Sequence, residues 1–526
     1  MKLLLYALSV LFYLQCAAQG LKFDNRPSKE LDAVKPGQHR FDQSVLAIIQ
    51  RDTIALENGT SESVTLTSGQ TQQLSYSRQK LDNTIYAYAT VCNQPIAIEG
   101  LTVSASDYSG LRLQFLGLSS ADNDAKAEES NASVNKEFEY GIVQTSFNGT
   151  NDIQISVVAP SYDSSKWTGT WSLQILILEL STATNFALFY EQGGLYSLDT
   201  DFESGLLLSE VIPTNVTQPP YDLFVFDGSN LGINSLQMSY CAIKNANAQF
   251  TQADADVSLT GKLWGAKTRQ LFFLKDLSAA TEYQAYIVNS ETYDTEIGTV
   301  FPGITFATKK DETCRLVYDL EFCSEVAYAV PSSSSALSRD ALKEWYDNTT
   351  QSLFHGFNLT LQLMSCDVNE HVRYTIMRTC DNCRDSYKRW LCGTMIPRCT
   401  DTSVGGVGND TSGTIFRPVN SSRNDLIITE LAPDPYLELL PCAQTCYSVM
   451  QDCPSDLQFQ CPINGKGLNE SYSLIADSDL SVQYFQHRPT CNFLGGLQKN
   501  NAPDANKTNA LTLVMFFLTT LILHQV

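Results

Sequence analysis

From about residue 40 to residue 309, hydrophobic and polar residues tend to alternate with a period near two. Ser63-Val64-Thr65-Leu66-Thr67, Thr84-Ile85-Tyr86-Ala87-Tyr88-Ala89-Thr90-Val91 and Ile153-Gln154-Ile155-Ser156-Val157-Val158 are rich in β-branched and aromatic residues. Gly, Asn, Asp and Ser interrupt them at short intervals, the punctuation of strands joined by turns. Residues 40–182 therefore read as a β-sandwich, closed by Trp171 to Leu180 as a fully buried strand. A second all-β region is expected over 186–309. From Cys314 the period changes. Leu342, Trp345, Tyr346, Leu353, Phe357 and Leu361 fall near one face of a helix, with Ser338 placed to cap it. The third region, 312–493, is expected to be mainly helical.

Both ends carry their own patterns. Lys2, the apolar stretch Leu3 to Leu14 and the small residues around Ala17-Ala18 have the order of a secretory signal peptide, residues 1–18. A polar linker, 497–509, precedes a second apolar run, Ala510 to Leu523, inside the terminal segment 510–526. As a helix that run would rise about 21 Å, against a hydrocarbon core of about 30 Å. Only His524-Gln525-Val526 follows it, with no basic residue to hold a cytoplasmic end. Small residues at Gly495-Gly496, then a polar spacer, then an apolar tail match a signal exchanged for a glycolipid anchor. A short transmembrane helix and a docked amphipathic tail are the alternatives. In a chain that enters the secretory pathway, the N-x-S/T sequons at Asn58, Asn131, Asn148, Asn215, Asn348, Asn358, Asn409, Asn420, Asn469 and Asn506 read as surface glycan sites.

A net charge of −22 argues against nucleic acid or anionic lipid as the main partner. No catalytic constellation is legible: G-x-S-x-G, H-E-x-x-H and phosphate-cradling glycine loops are absent. His39, His355, His371, His487 and His524 show no metal spacing. Asp199, Asp201, Glu203 and Glu210 sit at loop positions 1, 3, 5 and 12 of a calcium-loop pattern. Ser204 stands where the turn demands glycine, and Asp254 and Asp256 fit worse. No enzyme activity, resident metal or cofactor is expected.

Twelve of the fifteen cysteines lie between Cys314 and Cys491, which in a secreted chain implies a disulfide framework. Cys380-Asp381-Asn382-Cys383 lacks the second ligand pair of a zinc site and the βαβ setting of a redox motif.

Three resemblances sharpen this reading. Leu274-Lys275-Asp276-Leu277-Ser278-Ala279-Ala280-Thr281-Glu282-Tyr283-Gln284-Ala285-Tyr286-Ile287-Val288 resembles the tyrosine corner of fibronectin type III domains, with Tyr283 as the corner residue. Trp390-Leu391-Cys392-Gly393-Thr394-Met395-Ile396-Pro397-Arg398-Cys399 and Cys442-x3-Cys446-x6-Cys453 resemble the cysteine-rich domain of Frizzled receptors. That resemblance implies the pairs Cys314–Cys399, Cys323–Cys392, Cys383–Cys453, Cys442–Cys491 and Cys446–Cys461, leaving Cys366 with Cys380. Cys92 and Cys241 are then left to join the two β regions. The expected fold class is two β-sandwiches, the second fibronectin III-like, followed by a mainly helical, disulfide-rich, Frizzled-like domain.

The run Cys314 to Pro331, the Thr379-to-Cys399 segment and Cys453-Pro454-Ser455-Asp456-Leu457-Gln458-Phe459 resemble the fungal stretch-activated calcium-channel accessory subunits. Leu198-Asp199-Thr200-Asp201 and Tyr240-Cys241-Ala242-Ile243-Lys244-Asn245 extend the likeness more weakly. It implies a glycoprotein of the plasma membrane or endoplasmic reticulum that partners a large pore-forming subunit, with calcium as the transported ion. An adhesin or wall sensor, and a lipid-binding receptor ectodomain, are the alternatives from other classes.

Overall fold

The computed structural model describes residues 53–494 apart from 81–82, 99–109, 119–131, 148–151, 182–186, 191–193, 214–215, 229–230, 264–266, 290–296, 334–336, 365–367, 369–377, 401–412 and 475–489. The signal-peptide segment, the polar linker and the terminal apolar run lie outside the described residues.

Two sheets face each other in the first region. One runs Ile54–Leu56, Thr71–Tyr76, Ile153–Val158, Arg112–Leu118, Ala132–Glu137; the other runs Ser61–Leu66, Trp171–Leu180, Thr84–Asn93, Ile142–Phe147. Alternation explains the burial. Ile85, Ala87, Ala89 and Val91 share a core with Leu74, Ile155 and Val157. Trp171–Leu180 is buried along nearly its whole length because it is covered on both faces. Trp171, Leu173, Ile175 and Ile177 enter that core, while Leu176 and Leu178 pack with Tyr88, Leu188 and Ile297.

The second region also has two facing sheets, Leu195–Thr200, Gly205–Val211, Arg269–Leu274, Ala255–Thr260 and Phe250–Thr251, Asp222–Asp227, Glu282–Asn289, Thr299–Val300, with Ile304–Ala307 beside Glu282–Asn289. Tyr283 is fully buried, and its hydroxyl accepts from the Ser278 backbone N–H at 2.9 Å. The two β regions merge where the short helix Tyr240–Asn245 lies against Thr84–Asn93. Tyr240, Ile243 and Tyr286 belong to the same core as Val91, and Ser239 Oγ donates to the Val91 carbonyl at 2.7 Å.

The third region corrects the expected fold class. It is not a mainly helical, Frizzled-like domain, and across the described residues strand positions outnumber helical ones. A hairpin pairs Cys314–Val317 with Tyr328–Pro331, and a three-stranded sheet orders Arg398–Thr400, Tyr436–Leu439, Thr414–Arg417. Helices Arg339–Leu361, Cys380–Met395, Ala443–Asp452 and Gly465–Ser471 alternate with these strands. Cysteine spacing constrains which segments can be cross-linked but leaves the backbone between them free to form strands. Runs such as Cys314-Arg315-Leu316-Val317 bury alternate side chains against the second β region. Local chemistry still sets the helix starts. Ser338 accepts from the Ala341 N–H at 3.3 Å, and Thr379 with Asn382 forms a capping box. At Gly413, φ is +77° and any Cβ would run into the Thr490 carbonyl, so only glycine fits this approach.

Candidate functional site

The described disulfides form a lattice around the hairpin and helices of the third region. They join Cys314–Cys399, Cys323–Cys392, Cys383–Cys453, Cys442–Cys491 and Cys446–Cys461. Cys380 is also disulfide-bonded; Cys366 lies outside the described residues. Cys92–Cys241 ties the first β region to the second. Within the third region Asp347, on the long helix, accepts the backbone N–H groups of Glu321, Phe322 and Cys323 at 2.8–2.9 Å. Phe357 and Tyr387 stack with ring centroids 3.6 Å apart, and Trp390 and Phe459 pack against Tyr387 at a tilt.

Where this lattice meets the second β region, a group of buried charges lies within the apolar contact. Asp199, at the end of strand Leu195–Thr200, takes Lys309 Nζ at 2.6 Å on one oxygen and Arg398 Nε at 2.8 Å on the other. It also accepts the N–H groups of Thr200 and Ala329. Lys309 is 1% exposed and donates as well to the Thr200 carbonyl. Asp201 is fully buried and accepts the Leu316 N–H at 3.0 Å, the Glu203 N–H at 3.0 Å and Arg339 Nη2 at 3.3 Å. Burial alone would raise the Asp199 carboxyl. The opposing charges of Arg398 and Lys309 outweigh it and hold the group below the ordinary carboxylate value. Leu198, Leu206, Leu208, Leu271 and Phe273 surround these charges from one side, and Leu316, Ala329 and Tyr436 from the other. Another buried carboxylate, Glu438, sits between Arg417 and Arg423 at 2.6 Å each.

The carboxylates of the calcium-loop pattern have protein partners. Asp199 and Asp201 face lysine and arginine rather than open space, and Glu210 bonds the Tyr196 hydroxyl. Asp254 closes a capping box with Thr251, and Asp256 pairs with Lys275 at 2.5 Å. No group of three or more metal-ligating side chains occurs among the described residues. Of the sequons, Asn58, Asn348, Asn420 and Asn469 are exposed; Asn358 is half-buried, its side-chain oxygen accepting from Arg384 at 3.0 Å. Asn131, Asn148, Asn215, Asn409 and Asn506 lie outside the described residues, as do His39, His371, His487 and His524. His355 is exposed on the long helix.

Lys309, Arg339 and Arg398 carried no signal in sequence. Their carboxylate partners lie 110, 138 and 199 positions away. The nearest hint was the Leu-Asp-Thr-Asp run itself, whose two acids flank a single residue on a strand end.

Residues 84–497 match the family model of Mid1, described as a stretch-activated Ca2+-permeable channel component. The chain belongs to the Mid1 family. It is 38% identical over 299 residues to the stretch-activated cation channel yam8 of Schizosaccharomyces pombe, covering 56% of this chain and 60% of that one. Against the stretch-activated cation channel MID1 of Saccharomyces cerevisiae it is 33% identical over 337 residues, 57% of this chain and 59% of the relative. The MID1 channel of Cryptococcus neoformans var. grubii is 24% identical over 313 residues, 53% of this chain and 47% of its own. The matches thus span less than two thirds of each relative. The match to the Mid1 family takes in both the buried-charge group and the cysteine framework. No helix among the described residues is long and apolar enough to cross a membrane.

Proposed function

We propose that this chain is an accessory component of a stretch-activated, calcium-permeable channel, acting from the extracytoplasmic side of the plasma membrane. Residues 314–491 dock on a separate pore-forming subunit, and the terminal segment 510–526 attaches the protein to the membrane. Membership of the Mid1 family supports the channel role, and the disulfide lattice supports the mode of action. A cross-linked body keeps one shape, so it binds one conformation of a partner better than another. Differential binding of about 1.4 kcal/mol shifts a gating equilibrium tenfold without any chemistry. The acidic surface adds little, because salt screens it beyond about 8–10 Å.

The test measures calcium uptake under membrane stress in cells lacking the gene, with add-back of the intact protein. Uptake should fall in the deletion and return only when the large channel subunit is present. Normal uptake in the deletion, or rescue in cells without the large subunit, refutes the reading.

A further inference from the structure

The covalent framework leaves one joint open. Between Cys92 and Cys314 the only cysteine is Cys241, and it is bonded to Cys92. No disulfide can therefore tie the second β region to the cysteine-rich one. The chain forms two blocks, one up to Lys309 and one from Cys314, connected by a short run of backbone and the seam around Asp199 and Asp201.

The physics of that seam differs from an ordinary core contact. Asp199, Asp201 and Lys309 are held out of water when it is closed, Arg398 nearly so and Arg339 in part, and they regain hydration when it opens. Their mutual attraction therefore adds little net closure, while their geometry must be satisfied all at once. Such a contact is closed or open as a unit, and its balance rests on the apolar cluster around it, which includes Leu206, Leu271 and Phe273 on one side and Leu316, Ala329 and Tyr436 on the other. We propose that this seam is a hinge: residues 314–494 swing away from the β body as one cross-linked block while both blocks stay folded. Its use in channel control rests on the accessory reading above; the hinge itself does not.

The structure supplies a matched pair of reporters. The Leu316 N–H is held by Asp201 across the seam, and the Cys323 N–H by Asp347 inside the cysteine-rich block, itself locked by Cys323–Cys392. Both are amides bonded to buried carboxylates; only the first breaks when the hinge opens.

The experiment is native-state hydrogen exchange on the purified, secreted protein, reading fragments that contain Leu316, Cys323 or Phe272 in the β core. Leu316 should exchange at least tenfold faster than Cys323. Asp199→Asn leaves Lys309 and Arg398 under-compensated only in the closed state, so it should speed Leu316 a further tenfold or more and leave Cys323 and Phe272 unchanged. Replacing the group with apolar residues (Asp199→Leu, Lys309→Met, Arg398→Met together) removes the desolvation cost and should slow Leu316. Substitutions at the same position thus act in opposite directions, which a merely structural role would not produce. The hinge is overturned if Leu316 and Cys323 exchange alike in the wild type, if all three fragments respond together, or if both variants speed Leu316. Stress-evoked calcium uptake, measured separately at equal surface levels, should fall in the apolar variant. Unchanged uptake alongside the expected exchange would count against the accessory reading and leave the hinge standing.

Discussion

Arg398→Met isolates one charge of the seam. Arg398 contributes its Nε contact to Asp199 at 2.8 Å, an Nη2 bond to the Leu198 carbonyl at 2.7 Å, and a guanidinium 5.5 Å from the Tyr328 ring centre. Removing one partner of a buried pair costs about 3–5 kcal/mol. Lys309 and two backbone N–H groups still serve Asp199, so the lower end, about 3 kcal/mol, is expected at neutral pH. The pH dependence has a definite sign. Against burial, Arg398 and Lys309 hold the Asp199 carboxyl below its ordinary value. Its stabilisation is therefore fully present above the unfolded-state pKa, about 3.9, and is lost as pH falls through the lowered folded value. In the variant burial gains weight, the carboxyl moves upward, and that stabilisation disappears at higher pH. Denaturant titrations of the secreted protein between pH 7 and pH 2.5, followed by intrinsic fluorescence, measure both. The gap between wild type and variant should be widest at neutral pH and narrow once Asp199 is protonated in both. A gap independent of pH, or one below about 1 kcal/mol at pH 7, would refute the pairing argument.

Three other outcomes are expected. In the chain-entropy account, Cys92–Cys241, with a separation of 149 residues, contributes about 5 kcal/mol, and Cys446–Cys461, with 15, about 3 kcal/mol. Paired Cys→Ala variants should therefore fall in that order in denaturant midpoint, and the reverse order would count against loop closure as the source. Tyr283→Phe leaves the Ser278 N–H without its acceptor and should cost about 1–3 kcal/mol in the second β region; thermal unfolding unchanged within error would contradict this. If segment 510–526 is exchanged for a glycolipid, phosphatidylinositol-specific phospholipase should shed the protein from intact cells; recovery of mature protein that still carries Leu521-Ile522-Leu523 would dismiss the exchange.

Sequence alone determined those features that arise between near neighbours. Alternation along Thr84–Asn93 was enough to mark a strand, because each side chain's face follows from its position in the pleat. The Ser338 cap and the helical face of Leu342, Tyr346 and Leu361 were equally legible, since a helix closes its bonds within four residues. The third region was misread for the complementary reason. Strands such as Tyr436–Leu439 are stabilised by partners elsewhere in the chain, here Arg398–Thr400 and Thr414–Arg417, and the cysteines around them say nothing about backbone conformation. The seam depended on tertiary structure most of all. In sequence, Asp199 and Asp201 matched only a calcium-loop pattern that Ser204 breaks, and nothing nearby named a partner for either carboxylate. Only the fold, by carrying Lys309, Arg339 and Arg398 to them from more than a hundred positions away, turned that run into a buried joint.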